Sequence, residues 1–122
     1  MSQQESLDLQ TLDQLRLLER ERPGLMKDLI RLFVADAPKQ MRLIDGAYAK
    51  RDPEGVRQSA HFLRSGALAL GLAWLAEQAR LLEHLEFSQY GTPAAGETVV
   101  NLRAELHRVL ITLLKDLKAN NK

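Results

Sequence analysis

The 122-residue chain predicts an all-α fold, an up-and-down helical bundle with a four-helix core and a short additional N-terminal helix. Three observations lead there. Apolar residues recur three and four positions apart along the whole chain, and the period-two alternation of a half-buried strand occurs nowhere. The periodic segments are separated by short polar stretches that carry proline, glycine or aspartate, the residues that stop and start helices. There is no internal repeat, low-complexity tract or linker, so residues 1–122 read as a single domain.

The first helix is expected over Leu9 to Glu19, with Leu12, Leu15 and Leu18 facing inward, and is stopped by Arg20-Glu21-Arg22 and Pro23-Gly24. A long second helix follows from Leu25 to Ala49. Its apolar set, Leu29, Leu32, Phe33, Ala37, Met41, Ile44 and Tyr48, keeps helical spacing through Pro38, which removes one backbone hydrogen bond and bends the helix rather than dividing it. Asp52-Pro53 starts the third helix. Aspartate at the N-cap accepts backbone N–H bonds, and proline in the first turn loses nothing by lacking its own. Gly71 closes that helix, because glycine enters the left-handed region without steric cost. The fourth helix carries Trp74, Leu75, Ala79, Leu82 and Leu85 on its inner face up to Phe87, and Ser88 to Pro93 reads as a loop. The fifth runs from Gly96 or Glu97 to Lys118 and repeats Val99, Leu102, Leu106, Val109, Leu113 and Leu117.

Composition narrows the function classes. A hydrophobic content of 45% is enough to bury a core at this length, and the absence of cysteine removes disulfides and thiolate metal sites. Seventeen basic and sixteen acidic residues give a net charge of +1, so no global field points to nucleic acid. The longest apolar runs, such as Val109 to Leu114, are too short to span a bilayer, and Met1 to Glu5 lacks the basic and apolar regions of a signal peptide. The chain reads as soluble and cytoplasmic.

His61 is the residue that calls for a chemical explanation. At roughly 100° per residue, Val56, Ala60, Leu63, Ala67 and Leu70 form one stripe of the third helix, and His61 lies roughly 140° from its centre. The imidazole therefore faces water. Arg57, one turn before, and Arg64 and Ser65, one turn after, share its side of the helix, with Leu68 beyond them. Neighbouring positive charge favours a neutral ring with a free lone pair, and the same arginines suit an anionic phosphoryl group placed on that nitrogen. A single exposed histidine is, on the other side, often an ordinary surface residue.

Taken in order, these segments resemble the histidine-containing phosphotransfer (HPt) domains of multistep two-component phosphorelays. The first helix of that family opens with an acidic residue followed by spaced leucines, similar to Asp8, Leu12 and Leu15. The second carries a pattern similar to Leu32-Phe33-Val34-Ala35-Asp36-Ala37-Pro38, followed by a boundary like that from Ala47 to Asp52. The family's phosphohistidine motif, A-H-x-L-K-G-[SA], then an L-G pair and an L-E pair, is matched by Ala60-His61-Phe62-Leu63-Arg64-Ser65-Gly66, Leu70-Gly71 and Leu82-Glu83. Two positions depart from the pattern. Arg64 stands where the family has lysine, which keeps the charge, and Ser65 stands where it has glycine, with Gly66 one place later.

The resemblance implies a phosphorelay intermediate with its phospho-accepting histidine, His61, on the third helix. The group would arrive from the aspartate of one receiver domain and leave to the aspartate of another, the expected partners being receiver domains of a hybrid sensor kinase and a downstream regulator. Arg57, Arg64, Ser65, Gly66, Leu68 and Glu83 are the residues expected to stabilise the phosphoryl group or dock the receiver. Ser65 is small enough for a receiver to approach, and its hydroxyl is a donor for the phosphoryl group or a restriction on partner choice. Glu83 has two readings, a solvated glutamate or a carboxylate that orients the His61 ring. Phosphoryl transfer depends on positioning and electrostatics, which the receiver's Mg²⁺ and lysine would supply, so no cofactor is expected in this chain. Without a G-x-x-x-x-G-K-[ST] loop, neither ATP binding nor kinase activity is expected. The resemblance further implies a monomer that neither binds nucleic acid nor inserts into a membrane.

Two other classes compete. A metal site would gather His61, His84 and His107 from three successive helices, but no pair at ligand spacing supports it, and none is expected. A phosphate-free helical adaptor, a pseudo-HPt, would bind a receiver or kinase through exposed Leu68 and Leu72. Such an adaptor has no need of both His61 and Arg64.

Overall fold

The computed structural model describes residues 9–119, and side chains from Asp13 onward except that of Leu15. Among the described residues there are five α-helices: α1 (Leu9–Glu21), α2 (Leu25–Ala49), α3 (Pro53–Ala69), α4 (Ala73–Glu83) and α5 (Pro93–Ala119). Helix α3 packs against α2 and α4, and α5 closes the ring against the same two, which gives the four-helix core; α1 touches α2. Among the described residues there is no strand, and no helix is long and apolar enough to cross a membrane.

The helix ends follow from local chemistry. The Asp52 side chain accepts the Gly55 N–H at 3.2 Å with Pro53 in the first turn, so α3 begins at that pair. Its other end is a Schellman motif around Gly71 at φ 72°, in which the Leu72 N–H donates to the Ala67 carbonyl and the Gly71 N–H to that of Leu68. That motif corrects the expectation that Leu72 is exposed. It is 3% exposed, because the residue after a Schellman glycine folds its apolar side chain back onto the helix.

Helix α1 runs through Arg20 and Glu21, two residues beyond the expected stop, and Glu19 explains where α2 starts. Its carboxylate accepts the Gly24 and Met26 N–H groups at 2.6 and 3.0 Å, capping a helix whose N-cap glycine has no side chain to offer. Those two backbone bonds hold the Glu19 carboxyl below its ordinary pKa. Helix α4 stops at Glu83, short of Phe87. The reciprocal bonds of Glu86 and Gln89 draw Phe87–Gln89 into a 3₁₀ turn, which spans the expected end of the helix and the start of the expected loop. Helix α5 begins at Pro93, ahead of the expected Gly96 or Glu97, because Thr92 Oγ1 accepts the Ala95 N–H at 3.2 Å and Pro93 follows, the same arrangement as Asp52-Pro53.

Ile44, Val56, Leu63, Leu75, Leu82 and Leu102 are the largest fully buried side chains, one or two from each of α2 to α5. The stripe expected on α3 is buried throughout, from Val56 to Leu70. Two leucines expected inward are not. Leu32 is 61% exposed because the buried stripe of α2 is Ile30, Phe33, Ala37, Met41 and Ile44, and position 32 lies roughly 140° from its centre. Leu18 is 47% exposed, since α1 meets little of the core beyond α2. The Leu12 and Leu15 side chains, and Asp8, lie outside the described residues.

Candidate functional site

Helices α3 and α4 are joined by the tight turn at Gly71, so residues 22 apart in sequence face each other across their interface. His61 projects from the outer side of α3, with 57% of its side chain exposed. Glu83, the last residue of α4, is only 12% exposed and places Oε2 2.8 Å from His61 Nδ1. A carboxylate only accepts, so Nδ1 carries the proton and donates it. In the neutral ring, the Nε2 nitrogen is then left with the lone pair.

Arg64 completes the cluster from one turn further along α3. Its Nε lies 2.7 Å from Glu83 Oε1, and its Nη2 lies 3.5 Å from Oε2 and 3.4 Å from His61 Nδ1. Both guanidinium and protonated Nδ1 are donors, so the last contact is proximity and not a hydrogen bond. Arg64 Nε and Glu83 Oε1 are shut off from solvent and are not aligned for a hydrogen bond in spite of their closeness. Each has the other's opposite charge as its compensation for lost water. Burial pushes the Glu83 carboxyl up, but the His61 hydrogen bond and the Arg64 charge outweigh it and hold the group below its ordinary value.

The remaining expected residues are distributed around this cluster. Arg57 is ion-paired with Glu54 on the exposed side of α3, and that pairing raises its pKa. Ser65 is exposed, and Leu68 is 51% exposed. Gly66 faces α2: a Cβ there would come within 2.8 Å of the Phe33 ring, so its lack of a side chain allows α2 and α3 to approach. Sequence reasoning passed over Phe62, which is 43% exposed beside His61. Its position off the buried stripe of α3 was the available signal.

A cleft of about 250 Å³ near the α4–α5 connection is lined by Arg80, His84, Gln89 and Thr98 among others, and His61 lies outside it. His84 and His107 are exposed, and among the described residues no group of three His, Asp or Glu side chains is placed to hold a metal ion.

No curated protein matches the chain by sequence. Its fold is similar to the crystal structure of histidine-containing phosphotransfer protein B from Pseudomonas aeruginosa PAO1, with a TM-score of 0.76 and 21% identity over 94% of this chain and 96% of that one. The Hpt domain model matches residues 28–118, which include the His61, Arg64 and Glu83 cluster. A bundle of this form, matched by that model over three quarters of its length, belongs to the Hpt domain family, the phosphocarrier modules of two-component phosphorelays.

Proposed function

We propose that His61 is the phosphoryl acceptor of a phosphorelay, taking the group from the aspartate of one receiver domain and yielding it to the aspartate of another. The Nε2 lone pair attacks phosphorus, the P–N bond forms as the P–O bond to the aspartate breaks, and the carboxylate leaves with the bonding electrons. The Nδ1 proton stays in its hydrogen bond to Glu83, whose negative charge offsets the positive charge that the ring acquires. The second transfer is the reverse of this step on another receiver. The receiver's Mg²⁺ and lysine would neutralise the transferring group.

The observation that carries this reading is the His61 ring itself, more than half exposed and held at Nδ1 by a carboxylate. Its position on an open surface suits a reaction whose other half arrives on a second protein. Exposed Phe62 and Leu68 would supply the apolar centre of the docking face, with Ser65, Arg57 and Arg64 around it. Gly66 would contribute by setting the α2–α3 spacing under that face. The partners are receiver domains, of a hybrid sensor kinase and a downstream regulator, and the chain acts as a cytoplasmic monomer with no kinase activity of its own. A phosphate-free adaptor has no use for the His61, Glu83 and Arg64 cluster, and burial of Leu72 takes away half of the patch it would need.

Incubation with phosphorylated receiver domains tests the reading. The chain should acquire acid-labile, base-stable phosphate, and His61→Gln should acquire none while remaining folded, its stability changed by no more than the about 1.5–3 kcal/mol of a hydrogen bond to a charged group. Phosphate on the glutamine variant, or unfolding of it, refutes the assignment.

A further inference from the structure

We infer that Arg64 serves His61 through Glu83, as a positioning residue that fixes the ring's tautomer, and is not the cation that meets the phosphoryl group. This rests on His61 being the acceptor. The guanidinium lies on the Nδ1 side of the ring, 3.4 Å from that nitrogen, and engages both Glu83 oxygens, at 2.7 and 3.5 Å. The reacting nitrogen, Nε2, is separated from Nδ1 by Cε1, and its lone pair points away from the Glu83 hydrogen bond and the guanidinium. To reach a group on Nε2, Arg64 would have to leave Glu83 Oε1, a solvent-excluded atom that has no hydrogen bond. Stranding a buried charge in that way is strongly unfavourable.

Glu83 depends on Arg64 in turn. One of its oxygens is committed to His61 and the other is compensated by the guanidinium alone. Without Arg64, the carboxylate gains by turning toward water or taking up a proton, and in either case it holds the Nδ1 proton less well. Free imidazole favours the proton on Nε2, the tautomer that cannot attack. The arginine therefore keeps the nucleophile available without touching the transferred group. Arg57, by contrast, is ion-paired with exposed Glu54, a pair of the kind worth little in water.

A double-mutant cycle separates this role from direct contact. The variants are Arg64→Ala, Glu83→Ala and the pair together, read by ¹⁵N chemical shifts of the unphosphorylated His61 ring at a pH above which further base leaves the shifts unchanged. A second readout is the rate of phosphoryl transfer from a phosphorylated receiver domain. Arg64→Ala and Glu83→Ala should each shift the ring toward the Nε2–H tautomer and slow transfer on the order of tenfold, the scale of one charge-assisted hydrogen bond. In the Glu83→Ala background, Arg64→Ala should change the rate by less than about twofold, the limit of independent effects. Arg64→Gln takes the place of the alanine variant, under the same criteria, if the latter does not fold. An unchanged tautomer balance on loss of Arg64, or equal slowing with and without Glu83, overturns the inference. Because the ring shifts are measured without phosphate, they stand apart from the acceptor assignment, which fails only if His61→Gln is still phosphorylated.

Discussion

Replacing Gly66 by alanine isolates the contact that brings α2 and α3 together. The new Cβ would lie 2.8 Å from Phe33 Cδ1 and 3.0 Å from Cε1, closer than carbon atoms pack, and Phe33 is 5% exposed, so its ring has no free space to retreat into. Forcing an extra methyl into a packed core costs about 1–3 kcal/mol. Against this, alanine gains about 1 kcal/mol over glycine in the interior of a helix. The net effect is a loss of about 0–2 kcal/mol. Gly46→Ala is the matched control, since Gly46 also lies within a helix, α2, and a Cβ there meets nothing within 4 Å. That variant should gain about 1 kcal/mol. The helix-propensity gain cancels between the two, and the difference of about 1–3 kcal/mol measures the Phe33 clash alone, or about 4–12 °C in melting temperature for a domain of this size. Urea unfolding followed by circular dichroism gives both free energies. If Gly66→Ala is as stable as Gly46→Ala, the close approach of α2 to α3 at Phe33 is wrong.

Two further outcomes follow from the site. Leu68→Asp should weaken binding of a receiver domain in a calorimetric titration while the melting temperature stays near the parent's, because the side chain is half exposed; unchanged affinity would move the docking face off this part of α3. The low Glu83 pKa makes a prediction about acid. A carboxyl that binds its proton less tightly when folded than when unfolded adds stability that is fully present above the unfolded value and is lost as pH falls through the folded one. Between about pH 5 and pH 3 the parent's melting temperature should therefore fall more steeply than that of Glu83→Gln, with the other carboxylates common to both proteins. Parallel curves would mean that Glu83 has no favourable charge partner in the folded state.

Whatever depends on neighbouring residues could be read from the chain itself. The bounds of α2, the Asp52-Pro53 start of α3 and its end at Gly71 were legible because a helix is a repeat of local bonds, and its caps are satisfied within a few residues. The outward placement of His61 came from the same periodicity, measured against Val56, Ala60, Leu63 and Ala67 on its own helix. The early start of α5 was local too, and Thr92-Pro93 announced it. Other features had no local signal. Leu32 keeps helical spacing with its neighbours yet is exposed, since which side of α2 is covered depends on where α3 and α5 lie. Leu72 is buried by a turn geometry, and Gly66 is shaped by a ring that comes from α2. Glu83 is the clearest case. As a sequence position it reads equally as a solvated side chain or as a partner of His61, and only the packing of α4 on α3 brings its carboxylate to Nδ1 and fills its other side with Arg64. An α-helical pattern specifies which residues share a face. The direction in which a long charged side chain turns is decided by the opposite charge it meets across the interface, and that charge can be any distance away along the chain.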